Sequence, residues 1–309
     1  GQAWWTWSRG TYRKAAAAIK KYTEDRAGKY PLSERVFGDA IQGLRPTFIE
    51  PYGCDGVIIE GVTLRESPFW NIHPLYSNHV TVRNVTVFGD GPNTDGCDPD
   101  SSTNIVIEHC HFTTGDDCIA IKSGRDGDGL RVNKPTENLT IRDCTMSGGH
   151  GAVAIGSETS GSIRNVLVEN CAFDGQDSGV RIKSTRGRGG VVENITFRNC
   201  TIDNTKKYAI TLNMRYANAG DMTAHPFNET TPVFRNITLE NLTCHNSPQA
   251  MYIIGLPESP IQNLTMKNVT MTAEKGARVS YVNDFRRDNV VVTPEQGDAW
   301  TLQHVTLAK

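Results

Sequence analysis

Three aspartates stand close together in the first half of the sequence. Asp116 and Asp117 are adjacent in the segment TTGDDCIAIKSG, and Asp95 precedes them in GPNTDGCDPDSS. Neighbouring carboxylates raise one another's pKa, so that one can stay protonated while the others are ionised. Cleavage of a glycosidic bond needs such a set, since one carboxylic acid protonates the leaving oxygen and another carboxylate activates water or attacks the anomeric carbon. These aspartates therefore predict glycoside hydrolysis.

Basic side chains follow the aspartates along the chain. His150 lies in the segment SGGHG, and Arg181 and Lys183 lie two residues apart in GVRIK. Because alternate residues of a strand face the same side, the two cations are expected on one surface. Arginine binds a carboxylate through two parallel hydrogen bonds, and lysine adds a point charge. The pattern predicts a substrate that carries carboxylates, namely an anionic sugar chain.

A repeated segment indicates which elements position these residues. A leading residue followed by alternating apolar positions recurs at intervals of 23 to 42 residues. The copies are GVIIEGV (56), HVTVRNV (79), NIVIEHC (104), NLTIRDC (138), NVLVENC (165), NITFRNC (194), NITLENL (236) and NLTMKNV (263). Asparagine leads most copies because it tolerates the left-handed conformation of a tight turn. Variable repeats of short strands predict an all-β fold, a right-handed parallel β-helix whose coils stack and whose insertions lie in the turns.

The register of the repeat places the candidate residues on one face. Apolar residues of the strands that follow the repeats, such as Ile119, Val153 and Ile182, are expected to face inward. The polar residues beside them then face outward or lie in the turn just before the strand. Four successive coils would present one strip of side chains: Asp95, Asp116, Asp117, His150, Arg181 and Lys183. Such a strip predicts a groove that binds a polymer.

The cysteines follow the same register. Those that end a repeat are predicted to form one buried ladder of thiols without disulfides: Cys110, Cys144, Cys171 and Cys200. The others lie off that ladder, and a disulfide among them is left open: Cys54, Cys97, Cys118 and Cys244. The sequence contains neither a C-x-x-C pair nor a cluster of histidines, so it predicts no metal site of that kind.

Composition excludes several classes of function. The 309 residues carry 32 Lys and Arg against 34 Asp and Glu, a net charge of −2, so no basic field for nucleic acid is expected. No apolar stretch approaches the roughly 20 residues of a membrane-spanning helix. Residues 1–10 lack the basic and apolar regions of a signal peptide. The segment 11–27 is rich in helix formers and predicts a short surface helix inserted before the regular coils.

Four short motifs at one-coil spacing resemble the signature of the polygalacturonases, glycoside hydrolase family 28. They are NTDG (93–96), GDD (115–117), GHG (149–151) and RIK (181–183). The segment GDDCIAIKSGRDGDGLRVN is most similar to bacterial members, many of which act on chain ends. The resemblance implies cleavage of α-1,4-galacturonosyl linkages in polygalacturonate or pectin with inversion, without a metal or other cofactor, by an extracellular or periplasmic enzyme.

The same resemblance implies a role for each site residue. Asp116 would be the general acid, Asp95 and Asp117 would hold the attacking water, and His150 would orient the acid. The implied substrate-binding residues are Arg181 and Lys183, which would grip a galacturonate carboxylate, together with Tyr208 in YAITLNM and Asn93. An acid-to-base separation of about 6.5–9.5 Å would fit inversion, and about 5–5.5 Å would fit retention.

Residues 1–309 are predicted to form a single β-helix domain. Family members usually begin with a signal peptide and further coils, so the resemblance implies that N-terminal coils or a cap are absent from this chain. A solenoid end without its cap would be exposed, which bears on stability and oligomeric state.

Two other functions are left open. A pectate lyase on a similar helix would hold calcium with the oxygens of Asp95, Asp116 and Asp117 and would use Arg181 as the base. A non-catalytic β-helix would bind polysaccharide through the same groove. Exo or endo action, tolerance of methyl esters and oligomeric state are also left open by the sequence.

Overall fold

The computed structural model describes residues 2–6, 19–22, 24–25, 29–37, 44–216 and 220–308. Short strands form the sides of the coils, and toward the C-terminus a single strand continues around a coil. The strands are β1 (Asp55–Glu60), β2 (Thr63–Arg65), β3 (Asn78–Arg83), β4 (Thr86–Gly89), β5 (Thr103–Glu108), β6 (His111–Thr114), β7 (Ile119–Ile121), β8 (Thr136–Arg142), β9 (Thr145–Ser147), β10 (Gly151–Ile155), β11 (Ile163–Glu169), β12 (Ala172–Asp174), β13 (Ser178–Lys183), β14 (Val191–Asp203), β15 (Tyr208–Asn213), β16 (Val233–Ile254) and β17 (Ile261–Leu307).

Helical structure is limited in the described part of the chain. It comprises residues 2–6 and 19–22, a 3-10 helix at Leu32–Glu34, and α1 (Asp126–Val132). Of the helix predicted over 11–27, positions 19–22 are helical, whereas 11–18, 23 and 26–27 lie outside the described residues. Within the ranges that the structure describes, no helix has the length and apolar character needed to span a membrane.

The strands pair in parallel and form three ladders along the solenoid. In the first ladder, β1, β3, β5, β8 and β11 pair in succession. In the second, β2, β4, β6, β9 and β12 do so. In the third, β7, β10, β13 and β15 pair in turn. The predicted parallel β-helix is therefore confirmed.

Side chains alternate between inward and outward directions along each strand, and the inward ones fill the core. Val80, Ile105, Leu139 and Val166 occupy one position in successive coils of the first ladder, and each is at most 2% exposed. Burying such a side chain contributes about 1.5–3 kcal/mol relative to leaving it in water. Because each coil contacts only its neighbours, the fold is stabilised coil by coil.

The turns and cysteines repeat with the coils as predicted. Asn104, Asn138 and Asn165 have φ values of 56°, 59° and 57°. Nδ2 of Asn138 donates to Oδ1 of Asn104 at 3.2 Å, and Nδ2 of Asn165 donates to Oδ1 of Asn138 at 3.1 Å. The four ladder cysteines are buried, and all eight cysteines, which lie in the described residues, are free thiols. The disulfide left open by the sequence is therefore not formed.

The segment from Lys122 to Pro135, which follows β7, contains a helix. After β7, α1 runs from Asp126 to Val132 and ends at Asn133, whose φ is 50°. Its glycine-rich sequence has low helix propensity, so contacts with other coils must hold it. One such contact is the ion pair between the guanidinium of Arg188 and the carboxylate of Asp126.

Candidate active site

Asp95, Asp116 and Asp117 come together in the turns that precede the third ladder. The amide of Gly96 donates to the carbonyl of Asp117 at 3.1 Å, and the amide of His150 donates to the carbonyl of Asp116 at 3.2 Å. One carboxylate oxygen from each aspartate lies within 4.8 Å of the others. Asp95 is 3% exposed and Asp117 is 1% exposed, whereas Asp116 is only partly buried. Coil stacking thus brings together the acids that the repeat register aligned.

Asp117 is bound by the two predicted cations. Nη1 of Arg181 donates to its Oδ1 at 2.9 Å, and Nζ of Lys183 donates to its Oδ2 at 2.6 Å. Burial alone would raise the pKa of Asp117, but the charges of Lys183 and Arg181 outweigh burial and lower the pKa to about 2. Asp117 is therefore an ionised carboxylate at neutral pH.

Gly151 leaves the space that this arrangement needs. A Cβ atom on Gly151 would lie 2.8 Å from Oδ1 of Asp117 and 3.0 Å from Cδ of Arg181. The neighbouring outward positions are also small, since Ala154 of β10 pairs with Ala120 on one side and with Arg181 on the other. The Arg181 side chain can therefore cross a coil and reach a carboxylate 64 residues earlier.

Two side chains, those of His150 and Asn93, orient the carboxylate of Asp116. Nδ1 of His150 lies 2.8 Å from Oδ1 of Asp116, and this hydrogen bond raises the pKa of His150. Nδ2 of Asn93 donates to Oδ2 of Asp116 at 3.3 Å. The Oδ1 of Asn93 accepts a hydrogen bond from Arg45 at 2.6 Å, which fixes the direction of its amide. Asn93, predicted to bind substrate, is thus placed against the predicted general acid.

The environment of Asp95 differs from those of Asp116 and Asp117, because its neighbouring cation is Lys122. Nζ of Lys122 lies 3.9 Å from Oδ2 of Asp95, 3.4 Å from Oδ1 of Asp98 and 3.6 Å from Oε2 of Glu158. Burial raises the pKa of Asp95 to about 7, with the charges of the two neighbouring aspartates adding to the rise and Lys122 opposing it. Asp95 and Asp117 therefore differ in proton affinity because their partners differ.

The carboxylates open onto a cleft of about 620 Å³, around which Phe69, Trp70 and Tyr216 stand. Tyr208 does not line this cleft. It lies in an adjoining pocket of about 250 Å³, which shares Lys183 and Tyr216 with the cleft. The cleft and the pocket together are called the groove here, and the predicted site residues are spread along it.

Sequence reasoning missed several residues of the groove. Lys122 could have been found, because it lies two residues after the outward-facing Ala120 in the strand that follows the paired aspartates. Trp70 and Tyr216 lie outside the strands, where the repeat register gives no direction for a side chain. Glu158 was missed for the same reason, because it lies in the turn after β10.

The three aspartates also have the spacing of a cation site. Calcium takes six to eight oxygen ligands, many of them carboxylate oxygens. Both oxygens of Asp117 already accept hydrogen bonds from Arg181 and Lys183, so a divalent cation would meet two positive charges there. This donor set fits acid–base chemistry better than it fits calcium.

Known proteins are similar to this chain in sequence and structure. The family model for Glycosyl hydrolases family 28 matches residues 40–291. A probable polygalacturonase from Vitis vinifera is 36% identical over 84% of this chain and 54% of its own length. Probable endopolygalacturonase I from Aspergillus flavus is 32% identical over 57% of this chain and 47% of its own length. The chain therefore spans about half the length of these two relatives.

A solved structure shares the fold over nearly the whole chain. The crystal structure of a hyperthermoactive exopolygalacturonase from Thermotoga maritima matches with a TM-score of 0.85 and 33% sequence identity. The match covers 96% of this chain and 67% of that one.

Proposed function

Because the chain belongs to family 28 of the glycosyl hydrolases, we propose that it hydrolyses α-1,4 linkages between galacturonate residues in polygalacturonate or pectin. The observation that carries the proposal is the cluster of three carboxylates within 4.8 Å of one another, one of which is bound by Arg181 and Lys183. The acids provide the two functions that glycoside hydrolysis requires, and the cations select a sugar that carries a carboxylate.

Asp116 is the proposed general acid. It is the most accessible of the three carboxylates, and His150 and Asn93 fix its two oxygens. Asp116 gives its proton to the glycosidic oxygen as the bond from that oxygen to the anomeric carbon breaks. The leaving sugar then departs as a neutral alcohol, which is the better leaving group.

Asp95 and Asp117 are proposed to hold the attacking water. The pKa of Asp95 is raised to about 7 and that of Asp117 is lowered to about 2, so Asp95 is the stronger base. The water gives a proton to Asp95 while its oxygen bonds to the anomeric carbon. Asp117 accepts the second hydrogen bond of the water and remains ionised.

Inversion at the anomeric carbon is the proposed stereochemistry. The oxygens of the acids lie closer than the separation that usually accompanies inversion, so spacing alone favours retention. Retention needs a carboxylate that attacks the sugar, however, and neither neighbour of Asp116 is suited to it. Both oxygens of Asp117 are hydrogen-bonded to cations, and Asp95 is 3% exposed. A water molecule is small enough to be activated by such buried groups.

Arg181 and Lys183 are proposed to bind a galacturonate carboxylate. Within the described residues, the guanidinium of Arg181 donates one hydrogen bond, from Nη1, which leaves its other N–H groups for substrate. The ring of Tyr216 stands beside both cations, with its centroid 5.9 Å from Cζ of Arg181 and 5.4 Å from Nζ of Lys183. Tyr208 would contact the same sugar from the adjoining pocket.

The mode of action proposed is release from chain ends. Support comes from the exopolygalacturonase structure that matches this chain with a TM-score of 0.85. A pectic polymer is found outside the cytoplasm, so an extracellular or periplasmic location is proposed as well. The product lengths distinguish the modes, because end-wise action releases only short products from the start whereas internal cleavage first yields a range of oligomers.

The substrate class is tested by comparing a charged with an uncharged polymer. The chain should release reducing ends from polygalacturonate and not from neutral galactan. Arg181→Ala and Lys183→Ala should raise the KM for polygalacturonate, because each removes a partner of the substrate carboxylate. Equal rates on the two polymers, for the wild type and for both variants, would overturn the assignment.

A further inference from the structure

The three carboxylates of the active site do not have equivalent partners. Two cations contact Asp117, and Asp116 is held by a histidine and an asparagine. Among the described residues, none has an atom that forms a hydrogen bond with Oδ1 of Asp95, which is buried. The one described cation within ion-pair distance of Asp95 is Lys122, at 3.9 Å. The orientation and charge of Asp95 therefore depend on Lys122.

Lys122 is itself fixed by the fold. It follows β7, and its backbone forms a parallel bridge with Asp100 of the preceding coil. Its ammonium lies 3.4 Å from the Asp98 carboxylate, which is 0% exposed, and 3.6 Å from Glu158. The ring of Trp70 covers the ammonium on another side, with its centroid 4.7 Å from Nζ.

This environment does not suit a residue that grips substrate. Lys122 is only 5% exposed, and three carboxylates already surround its single positive charge. A galacturonate carboxylate could reach this ammonium only by displacing one of them. Asp98 has Lys122 as its one ion-pair partner in the described chain, and burial raises the pKa of Asp98 well above its ordinary value.

We propose that Lys122 is a positioning residue for the reaction: anchored by Asp98 and Glu158, it orients the Asp95 carboxylate toward the attacking water. The inference rests on the proposed hydrolysis of polygalacturonate. It assigns Asp98, Lys122 and Asp95 together a role in turnover and assigns Lys122 no role in substrate binding.

The test separates kcat from KM in Lys122 variants. Lys122→Gln removes the charge and should lower kcat by about 10²-fold, as misplacement of a reacting group does, while KM for polygalacturonate stays at the wild-type value. Lys122→Arg keeps the charge and should recover a large part of the loss. Lys267→Gln is the matched control, because Lys267 pairs with Glu240 on an exposed surface and should leave both constants unchanged.

A second variant keeps the test decisive if Lys122→Gln does not fold. Glu158→Gln preserves shape while removing a negative charge that anchors Lys122, and it should also lower kcat without raising KM. A rise in KM at constant kcat in these variants would show that Lys122 binds substrate, and unchanged constants would show that it is only a counter-ion; either result overturns the inference.

The inference and the proposed function fail in distinguishable ways. A wild-type chain that does not hydrolyse polygalacturonate overturns both. Wild-type turnover that survives in Lys122→Gln overturns the positioning role and leaves the proposed function standing.

Discussion

Three residues of one type have three different surroundings in this groove. Asp117 receives two positive charges and its pKa falls to about 2, whereas buried Asp95 faces one cation and two other acids and its pKa rises to about 7. Asp116 is the most accessible of the three. Separation of proton affinities among neighbouring acids is what allows one groove to supply both an acid and a base.

Replacement of the general acid should separate chemistry from binding. Asp116→Asn retains the size and the hydrogen-bonding shape of the side chain but removes its proton, so kcat should fall by about 10²–10⁴-fold. The affinity for trigalacturonate, measured by calorimetry, should stay close to that of the wild type. Asp288→Asn, a change at an exposed aspartate outside the groove, is the matched control. Full activity of Asp116→Asn would remove the residue from its assigned role.

Burial of the Asp95 carboxylate should lower the stability of the folded protein at neutral pH. Because the folded pKa of Asp95 is raised above its ordinary value of 3.8 to about 7, folding holds its proton more tightly, and the folded state is penalised as pH rises from 3.8 to 7. Asp95→Asn should therefore be more stable than the wild type at pH 7, and the gain should shrink toward pH 4. Each pKa unit corresponds to about 1.4 kcal/mol, which sets a ceiling of about 4 kcal/mol.

Asp117→Asn provides the comparison of opposite sign. The folded pKa of Asp117 is lowered to about 2, so its contribution to stability is present above pH 3.8 and is lost as pH falls toward 2. This variant should be less stable than the wild type at pH 7. Urea unfolding of both variants from pH 3 to pH 8 gives the free energies; a gain for Asp117→Asn, or a loss for Asp95→Asn, at pH 7 would contradict the assigned environments.

The sequence predicts which residues belong to the site, but it does not predict which of their side chains bind each other. The aspartates, His150, Arg181 and Lys183 stand in short motifs whose order indicates their chemistry. That Arg181 and Lys183 both bind Asp117 depends on distances across two coils, which no spacing in the sequence specifies.

At the scale of the element, the site depends on where each strand begins. The acids and His150 lie in the turns before strands of the third ladder, where the chain is not yet pleated and adjacent side chains can point into one groove. The repeat allowed this placement to be predicted, because stacked coils share one register. The helix α1 was not predicted, since its glycine-rich segment folds through contacts with Arg188 and other distant residues.

The first residue of β10 should be intolerant of any side chain. Gly151 has an ordinary backbone conformation, so Gly151→Ala should fold, but its Cβ would displace the Asp117 carboxylate and the Arg181 side chain. A displacement of this size should lower kcat by about 10²-fold, with little change in the melting temperature. Gly220→Ala is the control, because a Cβ there meets no atom within 4 Å. Wild-type kcat in Gly151→Ala would show that the packing beneath Asp117 is not required.

At the scale of the whole molecule, the solenoid explains how residues far apart in sequence share a site. Each coil contributes one or two side chains, and the parallel pairing of β7, β10, β13 and β15 sets them at successive heights. The groove thus carries its acids on two successive coils, with Asp95 on one and Asp116 and Asp117 on the next, and Arg181 and Lys183 lie two coils further along. The organisation of residues 1–309 as a single domain stays a prediction.

The central claim is hydrolysis by carboxylates rather than elimination assisted by calcium, and product analysis in labelled water tests it most directly. The chain is incubated with polygalacturonate in H₂¹⁸O in the presence of a chelator, and the products are followed by mass spectrometry and ultraviolet absorbance. Hydrolysis predicts saturated products, each with one ¹⁸O at its new reducing end, at an undiminished rate. Unsaturated, ultraviolet-absorbing products without the label, or activity that is lost in chelator and restored by calcium, would contradict the account.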